Sequence, residues 1–119
     1  MPSYHEPTEL LDEKTRNITR ALLSLKEEIE AVDWYNQRVA ASQDPELKRI
    51  LAHNRDEEIE HACMTLEWLR RNMDGWDHEL RTYLFSEADI VEAESSSHGD
   101  EDNGATKMSG KGLGVGNLK

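Results

Sequence analysis

Residues 39–47 read VAASQDPEL, and the helical pattern of the chain breaks in their centre, at Ser42-Gln43-Asp44-Pro45. Proline lacks a backbone N–H and is tolerated in the first turn of a helix, and aspartate is a preferred capping residue before that turn. The stretch therefore predicts that one helix ends at about residue 41 and that a second begins at 45, with Asp44 as its cap. Two helices joined by so short a break form an antiparallel hairpin.

On the N-terminal side of this break, apolar residues recur in alternating steps of three and four, which is typical of a helix that packs against another helix. The pattern predicts a first helix over about 8–41, and its stripe consists of Leu11, Ile18, Ala21, Leu25, Val32, Tyr35 and Val39. Glu28 stands in the stripe, whereas Glu27 and Glu30 are rotated away from it by about 100° and 200°. Of these three acids, only Glu28 is expected to face the second helix.

On the C-terminal side of the break, a second stripe predicts a helix over about 45–73. Its members are Leu47, Leu51, Asn54, Glu58, His61, Thr65 and Trp68. Met73-Asp74-Gly75 predicts the end of this helix, because glycine readily adopts the left-handed conformation found there. A third, shorter helix is expected over 76–86. Since no alternating strand pattern is present, the predicted fold class is all-α.

Glu58 and His61 form a Glu-x-x-His pair, so both side chains project from one side of the second helix. Glu28 lies 15 residues before residue 43 and Glu58 lies 15 residues after it, which predicts that they are level in the hairpin. An inward Glu beside a Glu-x-x-His is half of the di-iron site of ferritin-like bundles. The chain has no second Glu-x-x-His, so a complete site requires two copies of the hairpin, related by a two-fold axis. Such a dimer forms a four-helix bundle.

Other interpretations of these residues stay open at this point. A Glu-x-x-His pair arises by chance in a helix this rich in glutamate, and a run of charged residues is most often a solvated face. The Tyr35 hydroxyl could bind a ligand carboxylate, but Tyr35 could equally be a packed core residue. Trp34 and Trp68 are more often packing residues, and Cys63 is expected to be a small buried apolar residue.

The composition limits the partners of the chain. Of 119 residues, 36% are hydrophobic and 33% are charged, and the net charge is −11. This charge argues against nucleic acid and against an anionic membrane, and it favours cations or a basic protein surface. The single Cys63 excludes an internal disulfide, Met1–Leu10 lacks the apolar run of a signal peptide, and no run approaches the roughly 18 apolar residues that span a bilayer. The sequence predicts a soluble protein in a reducing cytoplasm.

The C-terminal part of the chain differs in composition from the helical domain, which is assigned to residues 1–86. Residues 87–111 are acidic and rich in serine and glycine, so we expect a disordered linker there. Residues 112–119 read GLGVGNLK, and apolar residues return in them at spacings of two and three. One interpretation of this terminal segment is a short docking peptide.

Four stretches of the chain resemble the encapsulated ferritins, which are short two-helix relatives of ferritin carried inside encapsulin nanocompartments. The stretches are HEP at 5–7, EEIEAVDWY at 27–35, LAHNRDEEIEH at 51–61 and EWLRR at 67–71. The resemblance covers roughly residues 5–86. It extends to the tail, where Leu113–Lys119 is similar to the cargo-loading peptide that docks on the inner wall of an encapsulin shell. Val115 and Asn117 stand where that peptide usually has Ile and Ser.

The resemblance implies roles for individual residues. Glu28, Glu58 and His61 match the ferroxidase ligands of the family, and Tyr35 matches a residue that supports them. Glu27, Glu30 and Trp34 match an outer site through which metal reaches the centre. The family forms ring-shaped decamers of five dimers, with a di-iron centre in each dimer interface.

The function implied by the resemblance is a ferroxidase that oxidises Fe(II) with dioxygen and delivers iron for mineral storage. Its location would be the lumen of an encapsulin shell in a bacterial or archaeal cytoplasm. Two alternatives remain: a helical adaptor whose buried acids hold Zn(II) or Ca(II) without catalysis, and a di-iron oxidase of an organic substrate. The second would need a substrate pocket, which the sequence does not indicate.

Overall fold

The computed structural model describes residues 4–96, whose regular secondary structure is helical with no strand among them. A 3₁₀ turn, Thr8–Leu10, precedes the helices α1 (Glu13–Ala41), α2 (Pro45–Asn72) and α3 (Trp76–Tyr83). The chain divides into two compact units after Met73. The first unit is the hairpin of α1 and α2, so the all-α prediction is confirmed for the part of the chain that is described.

The first helix begins at Glu13 rather than near residue 8. Asp12 adopts an extended backbone conformation, and its carboxylate accepts a hydrogen bond from the backbone N–H of Thr15 at 2.8 Å. This is the geometry of an N-cap, which satisfies one of the unpaired N–H groups of the first turn. The preceding 3₁₀ turn is tied to α1 by Arg16, whose Nη2 donates to the carbonyl of Thr8 at 2.7 Å. Asp12 was the sequence signal for this boundary.

The turn between the long helices agrees with the sequence prediction. The Asp44 carboxylate accepts from the backbone N–H of Leu47 at 2.9 Å, and Pro45 occupies the first turn of α2. At the other side of the turn, the backbone N–H of Ser42 donates to the carbonyl of Arg38. Both helix ends are therefore closed by local hydrogen bonds, which hold the turn to three residues.

The stripe predicted for α1 faces α2, since all seven of its residues are at least half-buried. The stripe of α2 is rotated from the prediction. Its true members, again in steps of three and four, are Leu51, Arg55, Glu58, Ala62, Thr65 and Leu69. Of the predicted members outside this set, Asn54 is also half-buried, whereas Leu47, His61 and Trp68 are exposed. The two candidate stripes share every second member, so the spacing alone could not distinguish them.

The hairpin buries little apolar surface by itself. Leu69 is the one buried hydrophobic residue among those described, and Cys63, expected to be buried, is exposed. Large apolar side chains that stay more than a third exposed in the hairpin are Leu10, Leu22, Ile29, Trp34, Leu47, Ile50, Ile59, Met64, Trp68 and Met73. A surface so rich in apolar groups is typical of a chain that associates with other copies or partners.

The second unit begins with the turn that precedes α3. Gly75 has φ +102°, a conformation that side-chain-bearing residues rarely adopt. α3 ends at Tyr83 instead of near residue 86. Phe85 has a positive φ of 61°, which interrupts the helical pattern.

Residues 90–96 are helical, although the composition predicted that this part of the chain is disordered. The carboxylate of Asp89 accepts from the backbone N–H of Glu92 at 3.0 Å, so a local cap supports the helical turns. The remainder of the predicted linker, 97–111, and the predicted docking peptide, 112–119, lie outside the described residues. Within residues 4–96, no helix is long and apolar enough to cross a membrane.

Candidate metal centre

Glu28 occupies the middle of α1, and its carboxylate is enclosed between the two helices. Oε1 is buried and has no hydrogen-bond partner. Oε2 accepts a hydrogen bond from the hydroxyl of Thr65 on α2 at 3.5 Å. A buried carboxylate oxygen without a donor is unfavourable. A bound cation would remove this cost, so the environment of Glu28 fits a metal ligand.

Glu58 and His61 lie side by side on α2, as the Glu-x-x-His spacing predicts. The distance from His61 Nδ1 to Glu58 Oε1 is 3.7 Å, and from His61 Nε2 to Glu57 Oε1 it is 3.9 Å. The imidazole therefore lies between two carboxylates. The Glu58 side chain is 28% exposed, whereas that of His61 is 47% exposed. His61 consequently faces out of the hairpin and is accessible to a second chain.

The side-chain contacts between the two helices are offset along the hairpin, and the expectation that Glu28 lies level with Glu58 stays a prediction. Glu28 contacts Thr65, and Asn36 accepts a hydrogen bond from Arg55 Nη1 at 3.1 Å. In both pairs the residue on α2 is farther from the turn than its partner on α1. Side chains lean toward the N-terminus of their helix, which is away from the turn in α1 and toward it in α2. Contacting side chains therefore start from backbone positions that are not level.

Among residues 4–96, no three His, Cys, Asp or Glu side chains come close enough together to hold a metal ion. One chain thus carries the predicted ligand set in pieces: Glu28 and Glu58 are half-buried in the stripes that face each other, and His61 is exposed beside them. Whether two copies join these pieces stays a prediction. The donors themselves, carboxylate oxygens and imidazole nitrogens, are those that suit iron.

The residues predicted around the centre are also placed by the structure. Glu27, Glu30 and Trp34 are exposed on α1, and the Trp34 side chain is 52% exposed, which does not support its role as a packing residue within this hairpin. Tyr35 is half-buried, and the guanidinium carbon of Arg38 lies 5.1 Å from the centre of its ring. The contact observed for Tyr35 is thus a cation–π interaction.

Two residues near the candidate ligands were not assigned roles from the sequence. Thr65 was placed in the stripe without a function, and Glu57 was treated as part of an acidic run. Helical spacing could have drawn attention to Glu57, since it precedes His61 by four residues. No local signal could have paired Thr65 with Glu28, because they are 37 residues apart and meet only through tertiary packing.

The chain is similar to one known protein family and to individual proteins of known sequence or structure. The EncFtn-like family matches over residues 3–87. A Rhodospirillum rubrum protein named encapsulated ferritin-like protein is 58% identical over 123 residues, covering 98% of this chain and 88% of the relative. A Thermotoga maritima protein named ferritin-like protein is 59% identical over 100 residues, covering 84% of this chain and 88% of the relative. A crystal structure of a protein from Nitrosomonas europaea matches with a TM-score of 0.73 and 58% identity, over 76% of this chain and 99% of that one.

Proposed function

The chain belongs to the EncFtn-like family of encapsulated ferritin-like proteins, and we propose that it is a ferroxidase. Its substrates are Fe(II) and dioxygen, and its product is Fe(III). The reaction takes place at a di-iron centre shared by two copies of the chain. The observation that carries this proposal is the buried, unpartnered Oε1 of Glu28, because a hard cation is a partner that satisfies such an oxygen.

The ligands are Glu28, Glu58 and His61 from each of the two chains. In this proposal Glu58 would be the bridging carboxylate, Glu28 the second carboxylate on each iron and His61 the nitrogen donor. Exposure of His61 at the edge of the hairpin supports a site shared between chains. Tyr35 lies on the same stripe as Glu28 and supports the ligands, while Glu27, Glu30 and Trp34 form the outer site through which iron arrives.

The ligand set explains why oxidation is favoured. Four glutamates around two irons supply negative charge, which stabilises Fe(III) more than Fe(II). Two Fe(II) ions bound there as substrate would each give up one electron, so one dioxygen molecule would be reduced by two electrons. Protein ligands occupy only part of the coordination sphere of each iron, so the ferric product can leave.

Storage of the mineral takes place outside this chain, because a ring of short hairpins does not enclose a cavity. The proposed assembly is a decamer of five dimers inside an encapsulin shell, in a bacterial or archaeal cytoplasm. Residues 112–119 bind the shell protein. The name of the Rhodospirillum rubrum relative, encapsulated ferritin-like protein, supports this location.

The proposal is tested by adding Fe(II) aerobically to the purified protein and following the ferric absorbance. The wild-type protein should oxidise Fe(II) faster than buffer does. Glu28→Ala, Glu58→Ala and His61→Ala should each abolish most of this acceleration, since each substitution removes two ligands from a two-fold site. Glu60→Ala, an exposed residue between the two α2 ligands, is the matched control and should keep full activity.

Two results would count against the proposal. A wild-type protein that does not accelerate oxidation would favour the alternative of a metal-binding adaptor. A ligand variant with full activity would remove that residue from the centre. An iron-bound structure in which Glu28 bridges and Glu58 does not would reverse only the roles assigned to the two carboxylates.

A further inference from the structure

Thr65 lies within hydrogen-bonding reach of the carboxylate of Glu28. It lies on α2 seven residues after Glu58, which places the two side chains on one side of the helix and about 10 Å apart along it. The hydroxyl of Thr65 is 3.5 Å from Glu28 Oε2, and both residues are half-buried. The interaction therefore crosses between the two long helices, inside their interface.

The Thr65 hydroxyl has a partner that differs from the one usual for a threonine in the interior of a helix. A threonine in the interior of a helix commonly donates to the backbone carbonyl four residues earlier, and Thr82 does so in α3, donating to the carbonyl of His78 at 2.9 Å. Thr65 instead lies within reach of a side chain on the neighbouring helix. Packing alone does not require a hydroxyl there, because valine has the same shape.

The two oxygens of Glu28 are left in different environments. Oε2 has a donor in Thr65, whereas Oε1 is buried and has no protein partner. A glutamate side chain is flexible, and holding one carboxylate oxygen restricts where the other can lie. The contact with Thr65 therefore favours an arrangement in which Oε1 is the oxygen left for a metal.

We propose that Thr65 is a positioning residue for metal binding, which holds Glu28 Oε2 and leaves Oε1 as the coordinating oxygen. The inference deepens the proposed function and rests on it, because it takes Glu28 to be a ligand. Groups that orient a metal ligand typically change metal affinity about 10-fold or more when they are removed. Loss of the Thr65 hydroxyl should therefore weaken metal binding by about 10-fold.

The test is a titration of the full-length protein with Co(II), which binds to oxygen and nitrogen ligands and gives a visible spectrum that reports its coordination. Thr65→Val keeps the shape of the side chain and removes the donor. It should bind Co(II) about 10-fold more weakly and show an altered absorption band. Thr65→Ser keeps the hydroxyl and should restore both the affinity and the spectrum. Thr82→Val, which removes a hydroxyl from α3, is the matched control and should resemble the wild type.

The outcomes distinguish failure of this inference from failure of the proposed function. If Glu28→Ala loses Co(II) binding while Thr65→Val keeps wild-type affinity and spectrum, Thr65 has no positioning role and the metal centre stands. If the wild-type protein binds no Co(II), the centre and the inference both fail. Circular dichroism checks that each variant is folded. Should Thr65→Val lose helical content, Thr65→Ala is titrated in its place with the same expectation.

Discussion

Asn36 of α1 and Arg55 of α2 are joined by a 3.1 Å hydrogen bond, although Asn36 lies 7 residues before the centre of the turn at residue 43 and Arg55 lies 12 residues after it. Arg55 is a charged residue in the stripe of α2 that faces α1. Its side chain is partly covered there, and its Nε also donates to Asp56 at 3.1 Å. The pair links the two helices across the hairpin.

Replacing Arg55 should therefore destabilise the hairpin. Arg55→Met keeps an apolar stem but loses the bond to Asn36, so the free energy of unfolding should fall by about 1 kcal/mol. The measurement is chemical denaturation at a fixed protein concentration. Arg49→Met, an exposed residue of the same helix, is the control and should change stability less. Equal effects of the two substitutions would contradict a role for the cross-helix bond.

Glu67 should make the stability of the protein sensitive to acid. Hydrogen bonds from Arg70 and then Arg71 lower the pKa of Glu67 from 4.5 to about 2. The carboxylate thus contributes stability above pH 4.5, and this contribution is lost as the pH falls toward 2. Because the side chain is 41% exposed, the contribution should stay below about 1 kcal/mol.

This dependence is measured as the difference in unfolding free energy between the wild type and Glu67→Gln. The difference should be constant above pH 4.5 and should shrink between pH 4.5 and 2, as the wild type is protonated. Glu60→Gln replaces an exposed carboxyl of the same helix and serves as the control. A wild-type advantage that is independent of pH would show that the ion pairs with Arg70 and Arg71 are not its source.

Metal binding should favour association of the chains. In the proposed dimer, the Glu28 and Glu58 carboxylates of the two chains would repel one another, and cations held by them and by His61 would remove this repulsion. Native mass spectrometry should therefore show larger assemblies with Fe(II) present and smaller ones after chelation. His61→Ala should weaken the response to metal. An oligomer distribution that is unaffected by metal would disconnect the candidate ligands from assembly.

Glu27 and Glu30 should affect the rate of iron uptake without being ligands of the centre. Both are exposed on α1 and are separated by about 60° around the helix, so their carboxylates can attract a cation together. The double substitution Glu27→Ala, Glu30→Ala should change the initial rate of Fe(II) oxidation and leave the number of bound metals unchanged. Replacing Glu6 and Glu9, which are exposed acids before α1, provides a control of equal charge. If both double variants changed the initial rate of Fe(II) oxidation equally, general surface charge would be responsible, and not the position of Glu27 and Glu30.

Residues 112–119 should serve only to dock the protein on the shell. Leu113, Val115 and Leu118 are separated by glycines that allow an extended backbone to lie close to a partner, and several copies in one ring would add their weak contacts by avidity. Deleting 112–119 should abolish loading into a co-expressed encapsulin shell and leave ferroxidase activity in solution unchanged. Deleting 104–111 instead shortens the predicted linker and should preserve loading into the shell. Loading that survives the first deletion would contradict the docking role.

Features set by neighbouring residues could be predicted from the sequence. Asp44 and Pro45 determine where α2 begins, since capping and the missing proline N–H act within one turn. Helical spacing likewise places Glu28 in the α1 stripe and joins Glu58 to His61. The start of α1 was predicted wrongly, although its signal, the Asp12 cap, is local. The apolar pattern already includes Leu11, before Asp12, and it was given more weight than the cap.

Tertiary packing decided the relationships between the helices. Two stripes of α2 have the same spacing, and only contact with α1 selects the one that contains Arg55 and leaves His61 exposed. The partner of Glu28 was decided in the same way, because side chains in antiparallel helices lean in opposite directions relative to the turn. Counting residues from the turn could not identify this partner, and the packed helices bring Thr65 beside Glu28.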